Sequence, residues 1–190
     1  MSDKTVFLVM DVQNGVIERV QNGEAYLERL APVVQATREA GFKIVYIKTS
    51  FRPGYPEHHP HNTSTAKAFQ WKAFGEDDSS SRIHAAVAPA SQDVVVSKHR
   101  VSAFTSTDLD LILRSYGAQK LVLTGISTSG VVLSTVRQAA DLDFRVTVLE
   151  DLCIDPDPEN HEFLMKKIVT RQAEVTSSAE WLAGLKPTSS

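Results

Sequence analysis

Residues 121–153 have the sequence LVLTGISTSGVVLSTVRQAADLDFRVTVLEDLC. The segment opens with an apolar run of strand length that ends at Gly125, and a turn of small residues follows at 126–130. Apolar residues at helical spacing over 131–141 then lead to a second β-rich run at 145–149. This order of strand, turn, helix and strand predicts a parallel βαβ unit. Its turn would direct backbone N–H groups and a helix N-terminus at one point, which suits an anion.

Strands and helices alternate through the rest of the chain. Buried apolar runs predict strands at 6–10, 43–48, 92–97 and 173–176, and helical spacing predicts helices at 24–40, 107–116 and 158–170. The proline-rich segment 51–78 is predicted as a long loop, of the kind that is usually functional or mobile. The alternation predicts one α/β domain over residues 1–190, in which a parallel sheet lies between two helix layers.

The composition argues against several classes of partner. Hydrophobic residues make up 42% and charged residues 23% of the chain, as in ordinary globular proteins, and the net charge is −3. No basic stripe is present, so nucleic acid is not an expected partner. The apolar run near the N-terminus is too short for a signal peptide or a membrane span, and a single cysteine fits a reducing compartment. We therefore expect a cytoplasmic protein that acts on a small molecule and does not contact a membrane.

Two charged residues follow predicted strands. Asp11 follows the strand at 6–10, and Lys98 follows the strand at 92–97. Ligands of open parallel sheets bind outside the carboxyl ends of the strands, so both residues are candidate catalytic groups. A lysine beside Asp11 would hold its carboxyl group ionised or share a proton with it. The alternatives are that Asp11 only caps the next turn and that Lys98 is an exposed loop residue.

Three other polar residues are candidates for contact with a substrate. Gln13 comes shortly after Asp11 and shares its position beyond a strand end. Arg52 and Tyr55 belong to the sequence SFRPGYPEHH at 50–59, where they would reach into a cleft or only hold the loop in place.

The histidines and the cysteine do not predict a metal or a nucleophile. His58, His59 and His61 are close together, but their spacing matches no known zinc pattern, so we predict no metal site. No cofactor is predicted. Cys153 has no accompanying base in a recognisable motif, and we expect it to be a small buried side chain.

Three segments, taken together, resemble the isochorismatase-like hydrolase superfamily: FLVMDVQNG at 7–15, VVVSKHRVSAFTSTDLD at 94–110 and the segment 121–153. The resemblance covers nearly the whole chain. It implies a three-layer α/β/α domain with a six-stranded parallel sheet in the order 3-2-1-4-5-6. It also matches the catalytic aspartate and lysine of the family with Asp11 and Lys98.

The chain departs from most of this family at the catalytic turn. Most members are cysteine amidohydrolases, with the nucleophilic cysteine in that turn. Here the turn is GISTSGVV at 125–132, and Val131 occupies the cysteine position, while a slip of one residue would place Gly130 there. Neither side chain can attack a carbonyl carbon, so no thioester intermediate is expected. The Asp-x-His motif of the metal-binding members is also absent, since the sequence TSF stands at 49–51.

The isochorismatases of the family also lack the cysteine, and they cleave an enol ether to pyruvate and a dihydroxy-cyclohexadiene acid. The resemblance therefore implies hydrolysis of isochorismate or a similar small carboxylated enol ether, with protonated Asp11 as the general acid. Lys98 would hold the substrate carboxylate or tune Asp11, and N–H groups of the turn would bind an anionic oxygen. The turn residues in question are Ile126, Ser127, Thr128, Ser129, Gly130 and Val131. Two alternatives remain: an amide or ester hydrolase that uses Ser129 or Ser127, and a non-catalytic binding protein.

The resemblance implies two further features. One is a cis peptide bond between Ile126 and Ser127, and the other is a homo-oligomer, a dimer or a tetramer. The loop at 51–78 carries Phe69, Trp71 and Phe74, aromatic residues of the kind that anchor interfaces. The alternative is that these side chains close over the protein's own cleft.

The implied strand order creates a geometric difficulty for Lys98. The third strand would lie two strand spacings, about 10 Å, from the first. We therefore expect the segment 99–104 to fold over the strand ends and to carry Lys98 back towards Asp11.

Overall fold

Strands and helices alternate over residues 4–185, the part of the chain that the computed structural model describes. The strands are β1 Thr5–Met10, β2 Lys43–Thr49, β3 Val94–Lys98, β4 Lys120–Ile126, β5 Arg145–Ile154 and β6 Glu174–Thr176. The helices are α1 Asn14–Ile17, α2 Gly23–Glu39, α3 Thr63–Trp71, α4 Leu109–Ser115, α5 Leu133–Asp141, α6 Pro158–Phe163 and α7 Ser178–Gly184. All strand pairs are parallel, in the order β3-β2-β1-β4-β5-β6. The predicted sheet and its order are confirmed.

The alternation of side chains along β1 explains why helices cover both faces of the sheet. Val6, Leu8 and Met10 point into one apolar cluster, which α4 and α5 complete. Phe7 and Val9 point into a second cluster, which is built mainly on α2. Because successive strand residues face opposite sides, a strand that is apolar throughout has to be covered twice. The three-layer arrangement follows from that requirement.

A glycine sets the distance between β1 and β4 at the end where β1 stops. Gly125 has a φ of +147°, and a Cβ atom placed on it would lie 2.3 Å from the carbonyl oxygen of Met10. Only a residue without a side chain lets the two backbones approach this closely. The next peptide bond, Ile126–Ser127, is cis. A wide helical turn, Thr128–Val132, then leads into α5, which begins two residues later than predicted.

Two other elements differ from the prediction. The segment predicted as a loop contains α3, whose first turn is capped by the Asn62 side chain accepting from the Ser64 N–H. Thr65 is its one buried residue, so α3 lacks the apolar stripe that identifies a helix in a sequence. The predicted helix at 158–170 is divided into α6, a wide turn at 164–168 and a 3₁₀ turn at 169–171. Within residues 4–185, no helix is both long and apolar enough to cross a membrane.

Candidate active site

The carboxyl ends of three adjacent strands bring one acid, one hydroxyl and one amine together. Thr49 of β2 and Lys98 of β3 are paired in register, and Met10 of β1 is paired with Ile47. Asp11 follows Met10 with a left-handed φ of 55°, and its N–H donates to the Ile47 carbonyl oxygen at 2.8 Å. Asp11 therefore leaves the line of β1 while its backbone stays attached to β2.

Lys98 reaches Asp11 by the length of its own side chain. Lys98 Nζ lies 2.9 Å from Asp11 Oδ2 and 2.9 Å from Thr49 Oγ1. The expectation that the segment 99–104 carries Lys98 back is wrong, because Lys98 is the last residue of β3 and remains in register with Thr49. The lysine side chain spans the intervening strand, and a shorter amine would not.

Burial sets the protonation of the Asp11–Lys98 pair. Asp11 is 7% exposed and Lys98 is 3% exposed. Burial raises the pKa of Asp11, while the charge of Lys98 and the hydrogen bonds from Lys98 and Thr49 act in the opposite direction. The net result is an aspartic acid that keeps its proton to a higher pH than an exposed one. Such a group suits the transfer of a proton to a substrate.

The hydrogen-bonding capacity of Lys98 is fully used within the protein. Its ammonium group donates to Asp11 Oδ2 and Thr49 Oγ1, and also to the carbonyl oxygen of Arg100 at 3.1 Å. An ammonium group has three N–H donors, so all three have partners. Thr49 in turn donates to Asp11 Oδ1 at 3.2 Å. Lys98 is thus placed to tune Asp11, and it has no donor left for a substrate carboxylate.

A cleft of about 290 Å³ opens above this pair. It brings Asp11 and Lys98 together with four of the predicted turn residues, Ile126, Ser127, Gly130 and Val131. Val131, at the family's cysteine position, is buried and presents an apolar side chain. A volume of this size suits a small molecule.

The other two turn residues do not line the cleft. Thr128 is buried, and its Oγ1 lies 2.8 Å from His161 Nδ1. Ser129 is exposed, and its N–H donates to Asp155 Oδ2 at 2.6 Å. Asp155 and His161 therefore hold the turn from behind, a role that the sequence did not reveal. Asp155 could have been suspected from its position directly after β5.

Several N–H groups of the turn are already committed within the protein. The Ser129 N–H is donated to Asp155, and the Gly130 and Val132 N–H groups are donated to the Ser127 carbonyl oxygen. Of the predicted oxyanion donors at 128–131, these bonds leave the N–H groups of Thr128 and Val131 as candidates.

The three predicted substrate contacts, Gln13, Arg52 and Tyr55, lie outside the cleft lining. Gln13 is fully buried, and its amide donates to the Thr49 and Ser81 carbonyl oxygens and accepts from the Thr49 N–H. Arg52 pairs with Glu57 at 2.6 Å, and Tyr55 donates to the Ala73 carbonyl oxygen at 3.0 Å. Each of the three therefore has a partner within the protein and lies away from the cleft that holds Asp11 and Lys98. Gln13 fixes the end of β2 instead.

The histidine cluster and Cys153 are also committed elsewhere. His58 Nδ1 lies 2.8 Å from Thr65 Oγ1, and its ring stacks on Phe69. In the described part of the chain, no three or more histidine, cysteine, aspartate or glutamate residues are grouped for metal binding. Cys153 is buried beside Gly125, outside the cleft, and burial raises the pKa of its thiol.

The far side of the cleft contains residues that were not among the predicted catalytic, turn or substrate-binding residues. They are Val16, Arg19, Phe51, Ser64, Thr65, Lys67, Ala68, Trp71, Phe74, His99, Arg100 and Val101. Several belong to α3, which was not predicted, and so their direction could not be inferred. Trp71 and Phe74, two of the three aromatic residues of the predicted loop, border the protein's own cleft.

A parallel sheet with a buried acid–amine pair at its carboxyl ends, facing a backbone turn across a small cleft, defines an enzyme of the α/β class that acts on small molecules. Residues 5–180 match the isochorismatase domain. The chain therefore belongs to the isochorismatase family, and it is a hydrolase.

Individual relatives differ in their named activity. Ureidoacrylate amidohydrolase RutB of Acinetobacter baylyi is 28% identical over 88% of this chain and 78% of that protein. An isochorismatase family protein from Burkholderia thailandensis is 28% identical, with a TM-score of 0.87 over 97% of both chains. N-carbamoylsarcosine amidase from Thermoplasma acidophilum is 26% identical, with a TM-score of 0.75 over 92% of this chain and 96% of that one.

Proposed function

We propose that this hydrolase cleaves isochorismate or a similar small carboxylated enol ether by a non-covalent route, with Asp11 as the general acid. The observation that carries the proposal is the buried Asp11–Lys98 pair in one cleft with Val131. The proton donor and its tuning cation are present, and the cysteine position holds a side chain that cannot form an acyl-enzyme.

The proposed reaction begins when the Asp11 carboxylic acid transfers its proton to the terminal vinyl carbon. The C=C electron pair forms the new C–H bond, and an oxocarbenium ion develops at the ether carbon. Water adds there, and the resulting hemiketal collapses to a ketone and an alcohol. The proton from the water is returned to Asp11. Lys98, at 2.9 Å, stabilises the Asp11 carboxylate in the interval between the two proton transfers.

A second candidate, hydrolysis of an amide or ester through a serine, is favoured by one observation. Ser127 lines the cleft, so its hydroxyl group is placed where it could approach a substrate. The amide-cleaving relatives named above make this candidate worth testing. It lacks a base that already contacts the serine, which is the usual means of activating a hydroxyl. Ser129 is a poorer candidate, since it is exposed and lies outside the cleft lining.

The experiment is a pyruvate-release assay with isochorismate, run beside a panel of small amides that includes ureidoacrylate. Release of pyruvate by the wild-type protein, and its loss in Asp11→Asn, would support the proposal. Hydrolysis of an amide, with labelling of Ser127 by a fluorophosphonate probe, would favour the second candidate. Absence of turnover throughout would favour the remaining alternative, a non-catalytic binding protein on this fold.

We also infer that the protein acts in the cytoplasm as a dimer or a tetramer, with no nucleic acid or membrane as a partner. The location is supported by the single cysteine, and the assembly by the family resemblance.

A further inference from the structure

The charges around the cleft are unbalanced. Four cationic side chains line it, those of Arg19, Lys67, Lys98 and Arg100, whereas Asp11 is the single carboxylate among the lining residues that the structure describes. Asp11 is already paired with Lys98. The remaining three cations therefore give the rest of the cleft a positive potential, which attracts an anion.

Arg19, Lys67 and Arg100 have no carboxylate partner within residues 4–185. Ion pairs in that range involve other residues, and Arg100 donates instead to the carbonyl oxygen of His99 at 2.7 Å. Cations at a protein surface are commonly balanced by nearby acids. Three unbalanced cations on one small cleft indicate that the counter-charge comes with the ligand.

Aromatic rings hold Arg19 in place. Its guanidinium carbon lies 5.3 Å from the centre of the Trp71 ring and 5.4 Å from the centre of the Phe74 ring. Both distances are within the range of a cation–π interaction. The rings fix the position of the guanidinium without using its N–H donors, which remain available for a bidentate bond to a carboxylate. Lys67 Nζ lies 6.0 Å from the centre of the same Trp71 ring.

We propose that Arg19, seated on Trp71 and Phe74, binds the carboxylate of the substrate and determines the preference of this site for anionic substrates. Lys67 and Arg100 add to the positive field. The proposal rests on the proposed function, and it reassigns to Arg19 the carboxylate contact that Lys98 cannot make. In this proposal the segment after α1 and helix α3 select the substrate, and the catalytic groups lie at the carboxyl ends of the strands.

The test measures binding rather than turnover, so its failure is distinguishable from failure of the proposed reaction. The probes are 4-fluorobenzoate and its neutral analogue 4-fluorobenzamide, titrated at low salt and followed by fluorine NMR. The wild-type protein should bind the carboxylate about tenfold more tightly than the amide, as expected for a hydrogen-bonded charge pair. The preference should shrink as salt is added.

Three variants test the assignment. Arg19→Met should abolish the preference for the carboxylate, and Arg19→Lys, which keeps the charge, should retain part of it. Arg29→Met is the matched control, because Arg29 is an exposed arginine of α2 outside the cleft lining, and the preference should be unchanged. Circular dichroism establishes that each variant is folded. An undiminished preference in folded Arg19→Met, or no preference in the wild-type protein, would overturn the proposal.

Asp11→Asn should still bind 4-fluorobenzoate even though it no longer releases pyruvate.

Discussion

At the scale of single residues, the proposed chemistry depends on how Asp11 and Lys98 are buried together. Burial raises the pKa of Asp11, and Lys98 limits that rise. An isolated buried carboxylate would be strongly destabilising, whereas a paired one is tolerated. Thr49 completes the arrangement, since it accepts from Lys98 and donates to Asp11.

The proposed mechanism requires Asp11 and does not require the cysteine. Asp11→Asn keeps the shape of the side chain but removes the proton that is transferred, so kcat should fall by about 10²–10⁴-fold. Cys153→Ala should leave kcat nearly unchanged, because Cys153 is buried outside the cleft, and should cost about 1 kcal/mol in the free energy of unfolding. The comparison is made by steady-state kinetics on one active substrate. A folded Cys153→Ala variant without activity, beside an active Asp11→Asn variant, contradicts the mechanism.

The raised pKa of Asp11 predicts the direction of the pH dependence. In the proposed mechanism the acid form of Asp11 is the active one, so kcat/KM should fall as the pH rises through the pKa of Asp11, with a midpoint above the ordinary value of 3.8. Protonation of Asp11 favours the folded state, because the pKa of Asp11 is higher in the folded than in the unfolded protein. This contribution to stability is fully present below pH 3.8 and is lost as the pH rises through the higher, folded-state pKa. The measurement is a pH profile of kcat/KM. A limb that rises over the same range would show that Asp11 acts as a carboxylate instead.

At the scale of elements, the junction of β4 and the turn determines where the cleft lies. Gly125 lets β4 approach Met10, the residue before Asp11. Asp155 holds the turn from behind through the Ser129 N–H, and His161 does so through Thr128. The position of Asp11 relative to the turn thus depends on a close backbone contact that no larger residue permits.

Gly125→Ala should therefore damage both stability and activity. The added methyl group would lie 2.3 Å from the Met10 carbonyl oxygen, at a φ of +147° that other residues rarely adopt. We expect a loss of at least about 3 kcal/mol in the free energy of unfolding, measured by urea denaturation. Gly184→Ala in α7 is the control, because a Cβ atom there meets nothing within 4 Å, and its effect should stay within roughly 1 kcal/mol. Equal effects of the two substitutions would show that the close approach is not required.

At the scale of the whole molecule, α3 carries apolar side chains that this chain alone does not bury. Phe69 is 46% exposed and Trp71 is 56% exposed. If the protein forms the proposed dimer or tetramer through this region, light scattering at micromolar concentration should give a multiple of the chain mass. Phe69→Ser should weaken the assembly, whereas Leu111→Ser, at a residue of α4 that is 72% exposed, should not. A wild-type monomer at that concentration would contradict the assembly.

The sequence by itself determined the layered sheet and the end of it that carries Asp11 and Lys98. Apolar runs and helical spacing are local properties that can be read from the sequence. Ligands of open parallel sheets bind at the carboxyl ends of the strands, so the strand boundaries were enough to locate the candidate site. The absence of a cysteine nucleophile at Val131 was also visible in the sequence.

What the sequence did not determine is which polar groups remain free, because that depends on partners far apart in the chain. Gln13 is satisfied by Thr49 and Ser81, and Lys98 by Asp11, Thr49 and the Arg100 carbonyl oxygen. Arg19 faces the cleft because Trp71 and Phe74, more than fifty residues later, place their rings against it. Tertiary packing, rather than any local pattern, decides which of these side chains is available to a ligand.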